Sequence, residues 1–258
     1  MKTYALVTGS SKGIGKAIAE QLAARGINLI LVARSQHLLL AASLAISSKY
    51  HVDVKYLIAD LSDTKSPQYI FDWCTAQNYS VNILINNAGF GLCGKFDEYT
   101  SDENLNMMQV NMQAPVHLCH LFIPELAKYE RSYILNVASS AAYQAVPGLS
   151  LYAASKAFIL NFSRGLRQDL KSTNISVSCL SPGATDTEFI IRANVGERGK
   201  KSADLLNMTP EQVARIAVTG MFNNKTEIVA GWINKLSVFF SWLLPKIIVE
   251  KIAMKLYR

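Results

Sequence analysis

The sequence predicts an α/β fold, a doubly wound, mostly parallel sheet of seven strands with helices on both faces. Three observations support this: short apolar runs, helix-length segments between them, and a glycine-rich turn after the first run. The runs begin at Tyr4, Asn28, Asp53, Val81, Ser132, Ile175 and Thr226. Most are apolar throughout rather than alternating, which is typical of parallel strands buried on both faces.

The segments between the runs have the length of helices, for example residues 14–25, 35–49 and 157–170. Strand–helix alternation repeated this often indicates right-handed crossovers, which bring the carboxyl ends of the strands to one edge of the sheet. We expect any ligand to bind at that edge. The chain has 258 residues and no linker-like stretch, so a single domain with one large core is predicted.

Composition limits the functional classes. The net charge of +7 favours anionic partners such as phosphorylated cofactors, acyl carriers or acidic lipid surfaces. The four cysteines are scattered without a CxxC pair, and no secretory signal or apolar span of about 20 residues is found, so a cytoplasmic protein is expected. Neither a metal site nor a nucleic-acid site is predicted, because no set of ligands and no basic recognition element is found.

The first strand ends in TGSSKGIG, residues 8–15, and continues directly into a helical segment. Glycines at positions 9, 13 and 15 allow a tight turn and let a pyrophosphate approach the amino terminus of the helix. The second strand ends in Ala33 and Arg34 rather than in an acid. With Lys12 as a second cation, this pattern favours NADP(H) over NAD(H).

A third pattern lies in the stretch from Leu135 to Phe158. Ser139 and Ser140 follow a buried strand, and Tyr152 and Lys156 are four residues apart in a helical segment, hence neighbours on one face. A tyrosine ordinarily has a pKa of about 10, and a nearby ammonium lowers it towards the range useful for proton transfer. The small residues between Tyr152 and Lys156 indicate that another group packs closely there.

These motifs together resemble the short-chain dehydrogenase/reductase family, over nearly the whole chain and in the correct order. TGSSKGIG resembles its cofactor turn, NNAG at residues 86–89 its sheet motif, and MQVNMQAP its helix asparagine, Asn111. LYAASKAF resembles the YxxxK pattern, and SPGATDTEF from Ser181 the stretch beside the nicotinamide. The resemblance implies a Rossmann-like fold and a homodimer or homotetramer.

The resemblance also implies roles for individual residues. Tyr152 would donate the proton, and Lys156 would lower the pKa of Tyr152. Ser139 would hold the substrate carbonyl, and Asn111 would hold a water molecule. The spacing of thirteen residues to Tyr152 favours Ser139 over Ser140. Cofactor contacts are expected from Gly9, Ser11, Lys12, Gly13, Ile14, Gly15, Arg34, Ser35, Asp60, Leu61, Asn87, Ala88, Gly89, Tyr152, Lys156, Pro182, Gly183, Thr185 and Thr187.

The substrate side is predicted to be hydrophobic. Substrate contacts are expected from Ser139, Tyr143, Tyr152 and Phe189, with Phe90, Val146 and Leu149 adding to the wall. Residues 185–208 form the expected substrate loop, either a plain lid or an apolar slot with the basic rim Arg198, Lys200 and Lys201. A fatty acyl chain on an anionic carrier would suit the second form.

The domain is predicted to consist of a Rossmann-fold and catalytic part, residues 1–230, and an amphipathic extension, residues 231–258. Pro245 should divide this extension into two helices. A subunit interface, a cover for the pocket and a contact with a lipid surface all remain open for it.

The function predicted is reduction of a carbonyl, or oxidation of the alcohol, on a hydrophobic substrate such as a 3-oxoacyl thioester, a steroid-like ketone or an aldehyde. The alternative is a non-catalytic sensor or scaffold that only binds NADP.

Overall fold

The computed structural model describes residues 2–183, Thr185 and residues 208–257, with the side chains of residues 252 and 255–257 excepted. Its strands are β1 Thr3–Thr8, β2 Asn28–Ala33, β3 Val54–Ile58, β4 Ser80–Asn86, β5 Ser132–Val137, β6 Ile175–Ser181 and β7 Glu227–Val229. They form one seven-stranded sheet in the order β3-β2-β1-β4-β5-β6-β7. All six pairings are parallel, so the predicted α/β sheet is confirmed.

The helices of the described residues are α1 Gly13–Ala23, α2 Gln36–Tyr50, α3 Ser66–Ala76, α4 Ser101–Met108, α5 Ala114–Leu126, α6 Ser150–Asp169, α7 Pro210–Phe222, α8 Trp232–Leu243 and α9 Lys246–Tyr257. A π-helical turn, Gln109–Gln113, joins α4 to α5, and a 3-10 turn, Ser140–Tyr143, precedes α6. Segment 157–170 of the prediction is the carboxyl part of α6.

Alternate residues of each strand face two separate cores. Ala5 and Val7 of β1 face the core formed with α1, α2 and α7. Tyr4 and Leu6 face the core formed with α3 and α5, against which Phe162 of α6 also packs. Helices therefore cover both faces of the sheet, as the continuous apolar strands predicted.

Two elements have other bounds than predicted. Helix α6 begins at Ser150 rather than at residue 157, so Tyr152 and Lys156 lie within one continuous helix of 20 residues. The seventh strand has only three residues, because Gly231 adopts φ of 88° and the chain then turns into α8. Proline 245 separates α8 from α9, as predicted.

The strand order reverses between β1 and β4, and this switch point is where a crevice opens at the carboxyl edge of a doubly wound sheet. The segments after β1, β2, β3, β4, β5 and β6 all begin at this edge. Those segments contain most of the predicted site residues.

Candidate active site

The glycine-rich turn after β1 has a backbone that other residues would strain. Gly9 and Gly13 have φ of 64° and 58°. A Cβ on Gly9 would lie 2.9 Å from both the Ala88 Cα and the Asn87 Nδ2 atoms. The side chain of Lys12, the residue before α1, makes no capping bond to the helix. The first N–H groups of an α-helix favour an anion, and here they lie in a cradle that only glycine leaves open.

Asn87 and Thr8 hold this cradle against the end of β4. The Asn87 side-chain amide donates to the carbonyls of Thr8 (3.0 Å) and Gly9 (3.1 Å). The Thr8 hydroxyl accepts from the backbone N–H groups of Asn87 (3.0 Å) and Ala88 (3.1 Å). Thr8 was not among the predicted site residues, although a threonine directly before the first glycine is a usable signal. These bonds fix the two strand ends that flank the switch point.

Arg34 and Asp60 face each other across the ends of β2 and β3. The Arg34 Nη1 and Asp60 Oδ2 atoms are 3.6 Å apart, and both side chains are about half exposed. Burial raises the pKa of the Asp60 carboxyl, but hydrogen bonds from Ser62 and the charge of Arg34 outweigh it, so that its pKa is lowered. Asp60 is therefore a carboxylate at neutral pH. Ser35, the residue before α2, has its hydroxyl 3.1 Å from His37 Nδ1.

Asn111 lies in the π-helical turn and is almost fully buried. Its Nδ2 donates to the Phe90 carbonyl (2.9 Å), and its Oδ1 accepts from the Phe90 N–H (3.1 Å). The same Nδ2 lies 3.1 Å from the Ser155 hydroxyl on α6. A π-turn carries an extra residue relative to an α-helix, and such turns are frequent at functional sites. Here it aims Asn111 at the chain after β4 and at α6.

Lys156 extends from α6 towards the same point. Its Nζ donates to the Val137 carbonyl at the end of β5 (3.0 Å) and lies 5.8 Å from the centre of the Tyr152 ring. A Cβ on Gly89 would lie 3.0 Å from both the Lys156 Nζ and the Asn111 Oδ1 atoms. The absence of a side chain at Gly89 thus lets these two groups approach the chain after β4. Full burial lowers the pKa of Lys156 from 10.5 to about 8.

Ser139 begins the 3-10 turn after β5. Its hydroxyl oxygen accepts from the Ala141 N–H (3.1 Å), which leaves the hydroxyl hydrogen to be donated elsewhere. The side chain is 8% exposed. The neighbouring Ser140 is less buried, and its N–H donates to the Pro182 carbonyl (2.8 Å), which ties this turn to the segment after β6.

The predicted apolar wall divides into two groups. Val146, Leu149 and Tyr152 belong to one cluster, against which Phe90 packs. Tyr143 packs instead against a different cluster, and its hydroxyl bonds with Glu227 (3.0 Å) and with Ser181 (3.2 Å). Burial removes solvent from the Tyr143 hydroxyl and thereby raises its pKa. The described contacts thus direct Tyr143 towards β6 and β7.

The remaining predicted positions lie at the same edge or outside the description. Leu61 is buried, and its carbonyl accepts from Gln109 (3.4 Å). Thr185 bonds to the Gly183 carbonyl (3.2 Å) and pairs with Met208 across the base of the predicted substrate loop. Thr187, Phe189 and the basic residues of that loop lie outside the described residues.

A buried polar chain beneath the site was not predicted. The Asn86 amide donates to Asn136 Oδ1 (2.9 Å), and the Asn136 amide donates to the Ser163 hydroxyl (2.9 Å). These bonds join β4, β5 and α6 inside the core, where hydrogen bonds between buried polar groups favour one arrangement of the three elements. The available signal was an asparagine after an apolar run in each strand, at or next to the last position.

Comparison with known proteins identifies the family. The model for short chain dehydrogenase matches residues 3–198. Hydroxysteroid dehydrogenase-like protein 1 of Gallus gallus is 35% identical over 72% of this chain, and the chain spans only 57% of that relative. Very-long-chain 3-oxoacyl-CoA reductase-B of Danio rerio is 30% identical, with 97% of this chain and 79% of that protein covered. The inactive hydroxysteroid dehydrogenase-like protein 1 of Homo sapiens is 28% identical over 94% of this chain and 72% of its own.

Solved structures agree in fold. A short-chain dehydrogenase from Sphingobium yanoikuyae in complex with NADPH has a TM-score of 0.81 and 28% identity, covering 93% of this chain and 94% of that one. One from Burkholderia phymatum in complex with NAD has a TM-score of 0.82 and 22% identity, covering 92% of each chain. The family match over residues 3–198 spans most of the sequence. The chain therefore belongs to the short-chain dehydrogenase family of oxidoreductases.

Proposed function

We propose that the protein is an NADP(H)-dependent oxidoreductase that reduces the carbonyl of a hydrophobic substrate, or oxidises the corresponding alcohol. The observation that carries this proposal is the convergence of Asn111, Lys156 and Gly89 at the edge of the sheet, with a buried ammonium beside the Tyr152 ring. Burying a lysine is costly unless it has partners, so a lysine held there against its own desolvation indicates chemistry.

A nicotinamide dinucleotide fits this edge. The glycine cradle after β1 leaves its N–H groups open to a pyrophosphate, and a Cβ at Gly9 would close it. Gly9, Gly13 and Gly15, with Ser11, Lys12 and Ile14 around them, would hold the phosphates. The segments 87–89 and 182–183, with Thr185, would flank the nicotinamide end, and Asp60 and Leu61 the adenine end. When bound, the cofactor supplies or accepts a hydride.

The side chains of the protein would supply the proton and stabilise the charge that its transfer leaves behind. Tyr152 donates its phenolic proton to the oxygen of the reduced carbonyl, and the Lys156 ammonium stabilises the phenolate that remains. The Ser139 hydroxyl, whose oxygen is already engaged by Ala141, donates to the same substrate oxygen. Asn111 completes the group by holding a water that links Lys156 to solvent.

Arg34 supports the preference for NADP(H). It lies at the end of β2, where the 2′-position of the adenine ribose is expected, and it is half exposed and able to turn towards a phosphate. Its present partner is Asp60, so a 2′-phosphate would compete with a carboxylate for the guanidinium. Lys12 and Ser35 would add contacts from the neighbouring turns.

A long acyl substrate suits the apolar side of the site. Phe90, Val146 and Leu149 cluster with Tyr152, and the resemblance to very-long-chain 3-oxoacyl-CoA reductases points to 3-oxoacyl thioesters as the first candidates. The basic residues Arg198, Lys200 and Lys201 of the substrate loop would suit the phosphates of an acyl carrier. Steroid-like ketones and aldehydes are the next candidates.

Binding and turnover together test this function. NADPH and NADH are titrated separately by nicotinamide fluorescence, and long-chain 3-oxoacyl thioesters, steroid ketones and aldehydes are then added while NADPH absorbance is followed. We expect tighter binding of NADPH than of NADH and turnover of a long-chain ketone. Cofactor binding without turnover of any carbonyl would instead favour the sensor or scaffold role; one relative, from Homo sapiens, is itself named as inactive.

The assembly and location follow as further parts of the proposal. Adjacent helices α4 and α6 each expose a large apolar side chain, Leu105 and Phe158, which suits a subunit contact in a homodimer or homotetramer. All four cysteines are buried thiols, which suits a reducing, cytoplasmic location. Equilibrium sedimentation of the wild type and of a Leu105→Ser/Phe158→Ser variant measures the first part.

A further inference from the structure

Helix α8 has the reverse of the usual amphipathic arrangement. The side that it turns to the protein mixes polar and aliphatic residues and carries no aromatic one: Ser241 is buried, and Ile233, Asn234 and Val238 are partly buried. Its outer side is large and apolar, with exposures from 46% to 70% at Trp232, Leu236, Phe239, Phe240 and Leu243. These five residues repeat at helical spacing, so they form one continuous outer stripe.

The apolar stripe continues across Pro245 onto α9. Ile247 and Ile248 of α9 are 63% and 43% exposed, whereas Val249 is buried. Lys246 closes the corner by donating from Nζ to the Ser241 carbonyl (3.1 Å). We define the tail surface as the stripe on α8 together with Trp242, Ile247, Ile248 and Met254.

The tail surface stands out from the rest of the described chain. Sixteen large hydrophobic side chains are exposed among the described residues, and nine of them lie between Trp232 and Met254. Several contact one another in water: the ring centres of Phe239 and Phe240 are 5.6 Å apart, and those of Phe239 and Trp242 are 6.4 Å apart. An exposed apolar patch of this kind marks a surface that binds another protein or a membrane.

The charges around the tail surface indicate which of these partners it binds. Residues 231–258 contain five lysines and arginines and a single acid, Glu250. Two copies meeting through this surface would bring like charges together, whereas a membrane with anionic headgroups complements them. Exposed tryptophan and phenylalanine with flanking lysines are also typical of helices lying in the interfacial layer of a bilayer.

We propose that the tail surface binds flat on the surface of an anionic lipid membrane. Across the described residues, no helix is long and apolar enough to cross a membrane. The contact is therefore peripheral: α8 and α9 insert their aromatic and aliphatic side chains among the headgroups, and the lysines pair with lipid phosphates or carboxylates.

The tail surface adjoins the candidate active site. On the inner side of α8, Asn234 lies directly against Gly183 in the segment after β6, and its amide donates to the Ala230 carbonyl (2.6 Å). If the proposed function is correct, a membrane-bound molecule would hold the substrate side of its site near the lipid, where long-chain substrates dissolve. The membrane contact itself does not depend on that function.

Vesicle co-sedimentation of the full chain tests the contact without any enzymatic readout. Wild type is mixed with phosphatidylcholine vesicles containing phosphatidylserine, and separately with phosphatidylcholine alone. We expect binding at least about tenfold tighter to the anionic vesicles, weakened by salt. A Trp232→Ser/Trp242→Ser variant should lose at least about tenfold in binding, because it removes two exposed aromatic groups.

The matched control is Phe96→Ser, which removes an aromatic side chain of similar exposure, 65%, outside the tail surface. It should bind vesicles like the wild type. Circular dichroism checks that all variants remain folded. Wild type that ignores anionic vesicles, or equal losses in the control and tail variants, would overturn the proposal. A tail variant that merely turns an oligomer into monomers, with no vesicle binding by the wild type, would assign the surface to a second copy instead and also overturn it.

Discussion

Helices α6 and α8 break the ordinary pattern of a surface helix in opposite directions. Helix α6 buries polar groups: Ser155 and Lys156 are among its least exposed residues. Helix α8 buries a serine and exposes two tryptophans, at 70% and 77%. Lys156 has a protein partner for its polar atom, the Val137 carbonyl, whereas the outer side chains of α8 lie in water.

Both departures cost stability. The desolvation of a buried ammonium opposes folding, and under the proposed function Lys156 is retained for its charge. An exposed aromatic stripe forgoes burial that would favour folding, and we propose that it is retained for a lipid surface. Departures from a self-consistent pattern are where functional sites are expected. Four predictions test this comparison.

The largest expected effect is on turnover. Tyr152→Phe removes the proposed proton donor and leaves the ring packing in its cluster. We expect the rate of NADPH oxidation with the active carbonyl substrate to fall about 10²–10⁴-fold, while NADPH binding changes little. Tyr69→Phe, at an exposed tyrosine on α3, is the control and should keep full activity. Wild-type turnover in Tyr152→Phe would remove Tyr152 from the mechanism.

Lys156→Met should separate stability from activity. Burial lowers the pKa of Lys156 from 10.5 to about 8, a shift equivalent to about 3 kcal/mol against the folded state below pH 8. Losing the hydrogen bond to Val137 costs about 1 kcal/mol. The variant should therefore be about 2 kcal/mol more stable than wild type at neutral pH in urea unfolding, and inactive.

The pH dependence checks the cause of that gain. The folded protein releases the Lys156 proton near pH 8, whereas the unfolded chain retains it up to 10.5. Wild type therefore gains stability as pH rises through this window, while Lys156→Met lacks this contribution. The stability difference between them should shrink from pH 8 upwards. A difference that stays constant would show that desolvation of Lys156 is not its source.

A smaller effect is expected at the cofactor. Arg34→Ala should weaken NADPH binding about tenfold, by loss of one charge-assisted phosphate contact, and leave NADH binding nearly unchanged. Fluorescence titration of both cofactors measures the ratio. Arg25→Ala, at an exposed arginine at the end of α1 that bonds to Gln21, is the matched control. Equal weakening of NADPH and NADH would mean that Arg34 does not read the 2′-phosphate.

The smallest effect is expected on the stability of the tail. Trp242 is 77% exposed, so Trp242→Ser should change the free energy of unfolding by less than about 0.5 kcal/mol. Urea unfolding without lipid measures it, and Trp73→Ser, at a less exposed tryptophan that packs against the core, should cost considerably more. A large loss in Trp242→Ser would mean that the tail surface is covered in solution.

Much of the site could be predicted because it follows the strand ends. The turns after β1 and β5 were located from glycines and small residues that directly follow apolar runs, and the turn after β4 from the resemblance of NNAG to the family's sheet motif. The small residues between Tyr152 and Lys156 predicted a close neighbour, and Ser155 indeed meets the Asn111 amide. Local backbone requirements such as a positive φ at Gly9 leave a mark in the sequence.

Other parts could not be predicted, because they depend on contacts between distant segments. The hydroxyl of Tyr143 bonds to Glu227, 84 residues further along the chain, and no local pattern indicated this partner. The Asn86–Asn136 bond likewise joins residues 50 positions apart. No periodicity within one segment states which residue of another segment it will meet.

The sequence by itself determined the doubly wound sheet and the edge at which the candidate site residues lie. These follow from strand periodicity and from the residue types that phosphate binding and proton transfer require. Only the tertiary structure decided which way α8 faces. Its helical pattern was compatible with a subunit interface or packing, with a pocket cover and with a lipid contact. Docking of Asn234 against Gly183 and burial of Ser241 turn the aromatic stripe outward, because a helix in contact with the protein on one side must expose the other.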